Sequence, residues 1–192
     1  KTMKNFLKIT MSKIQKPQND FFQTEKRWTQ IYLLNKNSSF YKNIKSRVLK
    51  IPKKKFVVEY GSSIGLISNM LGLKHAHVFG IDTSFTALYE AKKKSSKNCE
   101  YILADVIRNP LGKKKFDLIV ALNMFELVEP HLLIKTISKQ ILNGFILLSD
   151  PYDYERGKNS VKNPLNEKQI RETLHQHKFQ IDKACKNPSK IN

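Results

Sequence analysis

One stretch of this 192-residue chain has the residue types and spacing of a ligand-binding turn: Glu59-Tyr60-Gly61-Ser62-Ser63-Ile64-Gly65. The apolar run Phe56-Val57-Val58 before it reads as a short buried strand, and Ile64–Leu73 after it as a helix. A chain that turns so sharply needs a residue without a Cβ, which Gly61 supplies. Ser62 and Ser63 are small enough for a ligand to approach the backbone. Gly65 lets the helix begin close to the strand, and amides at a helix start can hold polar or negative ligand atoms. Two chemistries use turns of this kind. Dinucleotide binding uses G-x-G-x-x-G, but Ser63 and Leu66 replace two of the three glycines. The stretch is also literally G-x-S-x-G, the nucleophile elbow of hydrolases. An elbow follows several strands of its sheet, whereas only helical, lysine-rich sequence precedes this turn. The histidines His175 and His177 fall inside an amphipathic helix pattern.

Further along, His77-Val78-Phe79-Gly80-Ile81-Asp82 ends in a carboxylate 21 positions after Gly61. An acid there can accept both hydroxyls of a ribose. Asp82-Thr83-Ser84 also has the composition of a helix N-cap. A third strand, Tyr101–Ala104, runs into Asp105. His131 follows Pro130 at a helix start and reads as a surface or capping residue before a base.

These residues are held by alternating elements. Asn19 to about Leu49 carries apolar residues at helical spacing, including Phe21, Phe22, Trp28, Ile31, Tyr32 and Leu33. Asn19-Asp20 offers a cap, and the polar Asn35–Ser39 divides two helices. Strands are expected at Phe56–Val58, Val78–Ile81, Tyr101–Ala104, Phe116–Leu122, Phe145–Leu148 and, as the start of a sixth, Phe179–Ile181. Helices are expected at Ile64–Leu73, Ser84–Lys94, Pro130–Gln140 and Asn166–His177, the last capped by Asn166. Residues 1–17 read as loosely structured. The alternation predicts an α/β fold with a parallel sheet covered on both faces. Ligands of such sheets sit beyond the carboxyl ends of the strands. Strand order is not readable from the pattern.

Composition bounds the alternatives. The 40% hydrophobic and 27% charged residues are those of a globular domain. Phe116–Val128 is interrupted by Asp117, Asn123 and Glu126, so it is no membrane span. The N-terminal stretch, broken by Lys8 and Lys13, is a poor signal peptide, and a cytoplasmic protein is expected. Cys99 and Cys185 have no CxxC partner, and no metal site is indicated. The net charge of +19 is an electrostatic footprint for RNA or anionic lipid on one reading. Arginine stands only at positions 27, 47, 108, 156 and 171, and short clusters at Lys53–Lys55, Lys92–Lys94 and Lys113–Lys115 flank the strands. The pattern therefore reads first as solvated lysines spread over the surface.

The segment V-V-E-Y-G-S-S-I-G resembles the E/D-x-G-x-G-x-G turn of class I S-adenosylmethionine-dependent methyltransferases, with Ser63 for the middle glycine. G-I-D-T-S-F-T-A-L-Y-E-A-K and F-D-L-I-V-A-L-N resemble that family's second and fourth strands. The resemblance implies a Rossmann-like doubly wound sheet of the class I methyltransferase type over residues 51–192, with an N-terminal helical extension or cap over residues 1–50. It implies S-adenosylmethionine as cofactor, S-adenosylhomocysteine as product, and binding by Glu59, Tyr60, Gly61, Ser62, Ser63, Gly65, Asp82, Thr83, Asp105, Val106 and Asn123. Within that set Glu59 would order the turn or reach the methionine amino group, Asp82 would hold the ribose, and Asp105 with the Val106 amide would meet adenine. Phe125 and Tyr152 are the substrate-pocket candidates. Asn123-Met124-Phe125-Glu126 replaces the N/D-P-P-Y of base and glutamine amino methyltransferases, which disfavours that subclass. Pro151-Tyr152 is similar to groups acting on histidine-derived acceptors. The expectation is methyl transfer to a small-molecule acceptor with no catalytic residue named; the alternatives are an RNA- or protein-directed enzyme using the basic surface, and a non-catalytic module. Sheets of the family end in a hairpin of strands six and seven. This chain begins at Lys1 and stops at Asn192 soon after Phe179–Ile181, so the expectation is that the last strand is missing, that the chain is a fragment, or that it is a shortened variant.

Overall fold

Five of the apolar runs pair as one all-parallel sheet in the computed structural model of the chain, which describes residues 19–125, 127–149, 167–182 and 184. Two helices come first, α1 (Asn19–Asn35) and α2 (Ser39–Val48). Then follow β1 (Phe56–Tyr60), α3 (Leu66–Gly72), β2 (His77–Asp82), α4 (Phe85–Lys93), β3 (Cys99–Leu103) and a 3-10 turn at Val106–Arg108. The chain continues with β4 (Phe116–Leu122), α5 (Pro130–Gln140), β5 (Ile141–Ser149) and α6 (Glu167–Gln176). The ends of the helices follow from their residues. Ser38 and Ser84 accept the N–H of Tyr41 and Ala87. Glu129 accepts those of His131 and Leu132, with Pro130 preset for the first turn.

The sheet order is β3-β2-β1-β4-β5, so chain direction across the sheet reverses between β1 and β4. That switch point opens a crevice at the carboxyl ends of β1 and β4. Side chains alternate across β1. Val58 and Tyr60 join a core with Ile119, Leu133, Ile134 and Ile137 under α5 and α6. Val57 joins Ile44 and Val48 of α2 with Ile67 and Leu71 of α3 on the other face. The core is thus continuous across residue 50: α2 is built into the sheet's second layer.

Two elements differ from the sequence expectation. β5 starts at Ile141, directly from α5, rather than at Phe145. Phe179–Ile181 is not a strand. Lys178 adopts φ 62°, its N–H bonds the His175 carbonyl, and Phe179 N–H bonds the Leu174 carbonyl. This is a Schellman end to α6, and it folds Phe179 back against the core instead of extending it. Tyr152 with its Pro151 loop, Glu126, Asn166, Cys185 and segment 1–17 lie outside the described residues, as do the side chains of Asn19 to Phe22.

In a parallel sheet every loop that precedes a strand lies at the same edge. Lys53–Lys55 precede β1, Lys74 precedes β2, Lys113–Lys115 precede β4 and Lys139 precedes β5. These lysines, separated along the sequence, therefore gather at the end of the molecule opposite the crevice.

Candidate functional site

Glu59 leaves β1 on the side opposite Tyr60 and is buried. Its carboxylate accepts the Ser68 hydroxyl at 2.5 Å and lies beside the Ser68 backbone N–H, inside the first turn of α3. Gly65, the residue before α3, has no side chain to cap it, so Glu59 serves as the cap from the neighbouring strand. Burial pushes the Glu59 carboxyl up to about 8, against the lowering effect of the Ser68 bonds.

The turn after β1 is held by β2. Gly61 and Ser62 N–H both donate to the Ile81 carbonyl, at 2.8 and 3.0 Å, and Gly65 N–H donates to Ser62. Gly61 takes φ 69°, and a Cβ there would strike the Met124 sulfur, so both backbone and space require glycine. Gly65, at φ 71°, is pressed against Tyr101 and Ala91. Ser63 N–H donates to Asp82 Oδ2, and Ser84 N–H to Oδ1, each at 2.8 Å. The amides expected to face a ligand at this turn are thus already committed inside the protein. What the turn presents instead is hydroxyls and carboxylates. Burial raises the Asp82 pKa, opposed by bonds from Ser84, Ser63 and Thr83.

A cavity opens over this turn. Its floor is Glu59, Gly61, Ser62, Ser63 and Asp82, with Leu122, Asn123 and Met124 from the end of β4. Its roof is one stripe of α1, Glu25, Trp28, Thr29 and Tyr32, together with Phe40 and Tyr41 of α2. Glu25 Oε2 accepts the Thr86 hydroxyl at 3.0 Å, which ties the roof to α4. Asn123 is held at φ 55°, with its N–H on the Ser149 carbonyl at 2.7 Å. Four polar side-chain atoms of the lining are buried with no hydrogen-bond partner among the described residues: Thr29 Oγ1, Ser62 Oγ, Ser63 Oγ and Asn123 Oδ1. Buried groups of this kind are normally satisfied. Their convergence on one cavity fits a polar ligand. In a chain of net charge +19 the described lining carries three carboxylates and no lysine, arginine or histidine.

Of the residues singled out in the sequence, Glu59, Gly61, Ser62, Ser63, Asp82 and Asn123 are brought together here. Others are not. Tyr60 is buried on the opposite face, where its hydroxyl bonds Gln140. Thr83 is exposed outside the lining, and Gly65 packs against α4. Asp105 spends its carboxylate on the Ile107 N–H at 3.1 Å, capping the 3-10 turn, and Val106 is in the core. Phe125 is also in the core, with 4% of its surface exposed, because the turn after Asn123 rolls it inward; Met124 and Leu127 line the cavity in its place. His131 Nδ1 lies 3.0 Å from the Thr173 hydroxyl and away from the cavity. The sequence pointed to the N-terminal helices as a cap but not to which of their residues form the roof. The available signal was the spacing 25, 28, 29, 32 on α1, a single helical stripe mixing Glu, Trp, Thr and Tyr, which is neither a plain core face nor a plain solvent face.

Residues 58–147 match a family model described as a methyltransferase domain. Malonyl-acyl-carrier-protein O-methyltransferase from Hamiltonella defensa is 34% identical over 84 residues, or 42% of this chain and 32% of that protein. The match thus spans about a third of the length of this curated relative. Among solved structures, N-methyltransferase NodS from Bradyrhizobium japonicum WM9, in complex with S-adenosylhomocysteine, superposes with a TM-score of 0.58 at 16% identity, over 66% of this chain and 70% of that one. Magnesium protoporphyrin IX methyltransferase from Synechocystis PCC 6803, with bound S-adenosylmethionine, gives 0.57 at 18% identity, over 88% and 78%. At these identities the likeness to the solved structures is one of fold.

Proposed function

We propose that this chain, whose residues 58–147 match a methyltransferase domain, is a class I S-adenosylmethionine-dependent methyltransferase that transfers a methyl group to a small neutral or amine acceptor. The observation that carries this reading is the charge of the cavity. The cofactor bears a sulfonium and an ammonium, and the described lining offers Glu25, Glu59 and Asp82 with no opposing cation. Asp82, fixed by two amides, has oxygen lone pairs left for the ribose hydroxyls. Glu59 receives the ammonium end, and the orphaned Ser62, Ser63 and Asn123 atoms take the remaining polar groups.

When bound, the cofactor supplies a methyl group already activated on sulfur. The chain's own task is to align the acceptor and keep out water. Leu122, Met124 and Leu127 give the acceptor side an apolar wall, and Trp28, Tyr32 and Tyr41 cover it from the helices. An acceptor with a free carboxylate would meet no cationic side chain in this lining, whereas an amine would face aromatic rings that favour it. A base is needed only if the acceptor is protonated at the working pH.

Isothermal titration with S-adenosylmethionine and S-adenosylhomocysteine tests the reading. Both are expected to bind, with proton release as Glu59 ionises beside the ammonium, visible as a buffer-dependent heat. No binding of either to a chain with an intact circular dichroism spectrum would sink the proposal.

A further inference from the structure

The basic end of the sheet carries apolar side chains as well as charge. Leu49, Leu73, Leu142 and Phe145 are exposed to 55, 83, 55 and 46%. Leu49 and Phe145 are tied to the lysines by contacts, while Leu73 precedes Lys74 in the chain and Leu142 opens β5 soon after Lys139. Lys74 Nζ bonds the Leu49 carbonyl at 2.5 Å, and His75, next in sequence, accepts the Lys54 N–H at 3.0 Å. Lys54 Nζ stands 4.4 Å from the centre of the Phe145 ring. Lys114 Nζ lies 4.6 Å from the Phe56 ring, and Lys115 bonds the Lys139 carbonyl. Among the described residues none of these lysines is in an ion pair with a carboxylate. Asp117, a carboxylate set among them, accepts the backbone N–H groups of Lys55 and Phe56.

We propose that this end of the molecule docks on an anionic membrane surface, with the lysines over the headgroups and the four apolar side chains reaching toward the acyl boundary. Apolar tips within a ring of lysines combine the two attractions that hold a protein at such an interface. Single-stranded RNA is matched less well. It calls for aromatic platforms on which bases stack, and three of the four exposed tips are leucines. The partner is not the methyl acceptor, because the cavity opens at the other ends of the same strands, about 16 Å away along a five-residue strand. Docking therefore leaves the cavity mouth facing the aqueous side. The inference does not depend on the methyl-transfer reading, and its test involves no cofactor.

The test is co-sedimentation of the full chain with phosphatidylcholine vesicles with and without phosphatidylserine, beside a fluorescently labelled single-stranded RNA in the same buffer. Binding to the phosphatidylserine vesicles alone is expected, weakening as salt is raised. The exposed triple variant Lys53→Glu, Lys113→Glu, Lys139→Glu should lower vesicle affinity on the order of a hundredfold. The same change in net charge at the cavity end, Lys36→Glu, Lys42→Glu, Arg108→Glu, should lower it less than tenfold. Leu73→Ser with Leu142→Ser should remove the part of the binding that survives high salt. Equal losses from the two charge variants would overturn the proposal, as would tighter binding to RNA than to the vesicles, or no vesicle binding by a folded chain.

Discussion

Asp82 and Asp117 make the same kind of bond at opposite ends of one sheet. Asp82 accepts the N–H groups of Ser63 and Ser84, and Asp117 accepts those of Lys55 and Phe56. Each ties the end of one strand to a neighbouring segment. Their surroundings differ. Around Asp82 the protein leaves a concavity with buried hydroxyls lacking partners. Around Asp117 the backbone is closed so tightly that a Cβ on Gly144 would run into the Asp117 main chain. The same local chemistry is a binding element where packing is incomplete and a staple where it is complete.

The largest expected effect separates the two. Asp82→Ala should weaken S-adenosylhomocysteine binding by about a hundredfold or more in titration calorimetry, since it removes charge-assisted bonds to the ribose. Asp117→Ala should leave that affinity unchanged while lowering unfolding free energy in urea by about 1–3 kcal/mol, the cost of two uncapped amides. Equal losses of affinity in the two variants would break the comparison. Gly144→Ala comes next: overpacking against the Asp117 backbone should cost about 1–3 kcal/mol of stability, again with no change in binding. An unchanged urea midpoint would mean that β5 has room to move.

A further effect concerns pH. Glu59 has a folded pKa of about 8, above its ordinary 4.5, so the folded state holds a proton that the unfolded state loses. The stability from that proton is complete below about pH 4.5 and is lost as pH rises toward about 8. Glu59→Gln, neutral throughout, should flatten the decline in urea midpoint over this interval. An unaltered pH slope would place the Glu59 proton elsewhere.

Much of this was legible in the sequence, for reasons that can be stated residue by residue. Runs such as Leu118–Leu122 are apolar throughout because a central parallel strand is buried on both faces, and the turn at Gly61 stands out because only glycine fits it. Asp82 was readable because its place is fixed by the strand before it. Phe125 was not, since whether a residue just past a strand faces a ligand or the core depends on the dihedrals of the residues before it, here the positive φ of Asn123 two positions earlier. The individual residues of the roof were also out of reach, because Trp28 and Tyr41 meet the turn across a gap in sequence that no spacing rule spans. The basic end required strand direction: lysines that look dispersed in one dimension converge once all five strands run the same way.

Gln140 ends α5 and Ile141 begins β5 with nothing between them. Just past that junction β5 bulges: Ile141 to Phe145 advances along only Phe116 to Leu118 of β4, with Asn143 at φ 44°. At the far end of β5 the Ser149 carbonyl holds the Asn123 amide. One residue inserted between 140 and 141 would therefore meet the bulge first, and the regular register from Phe145 to Ser149, which carries the floor of the cavity, would be spared.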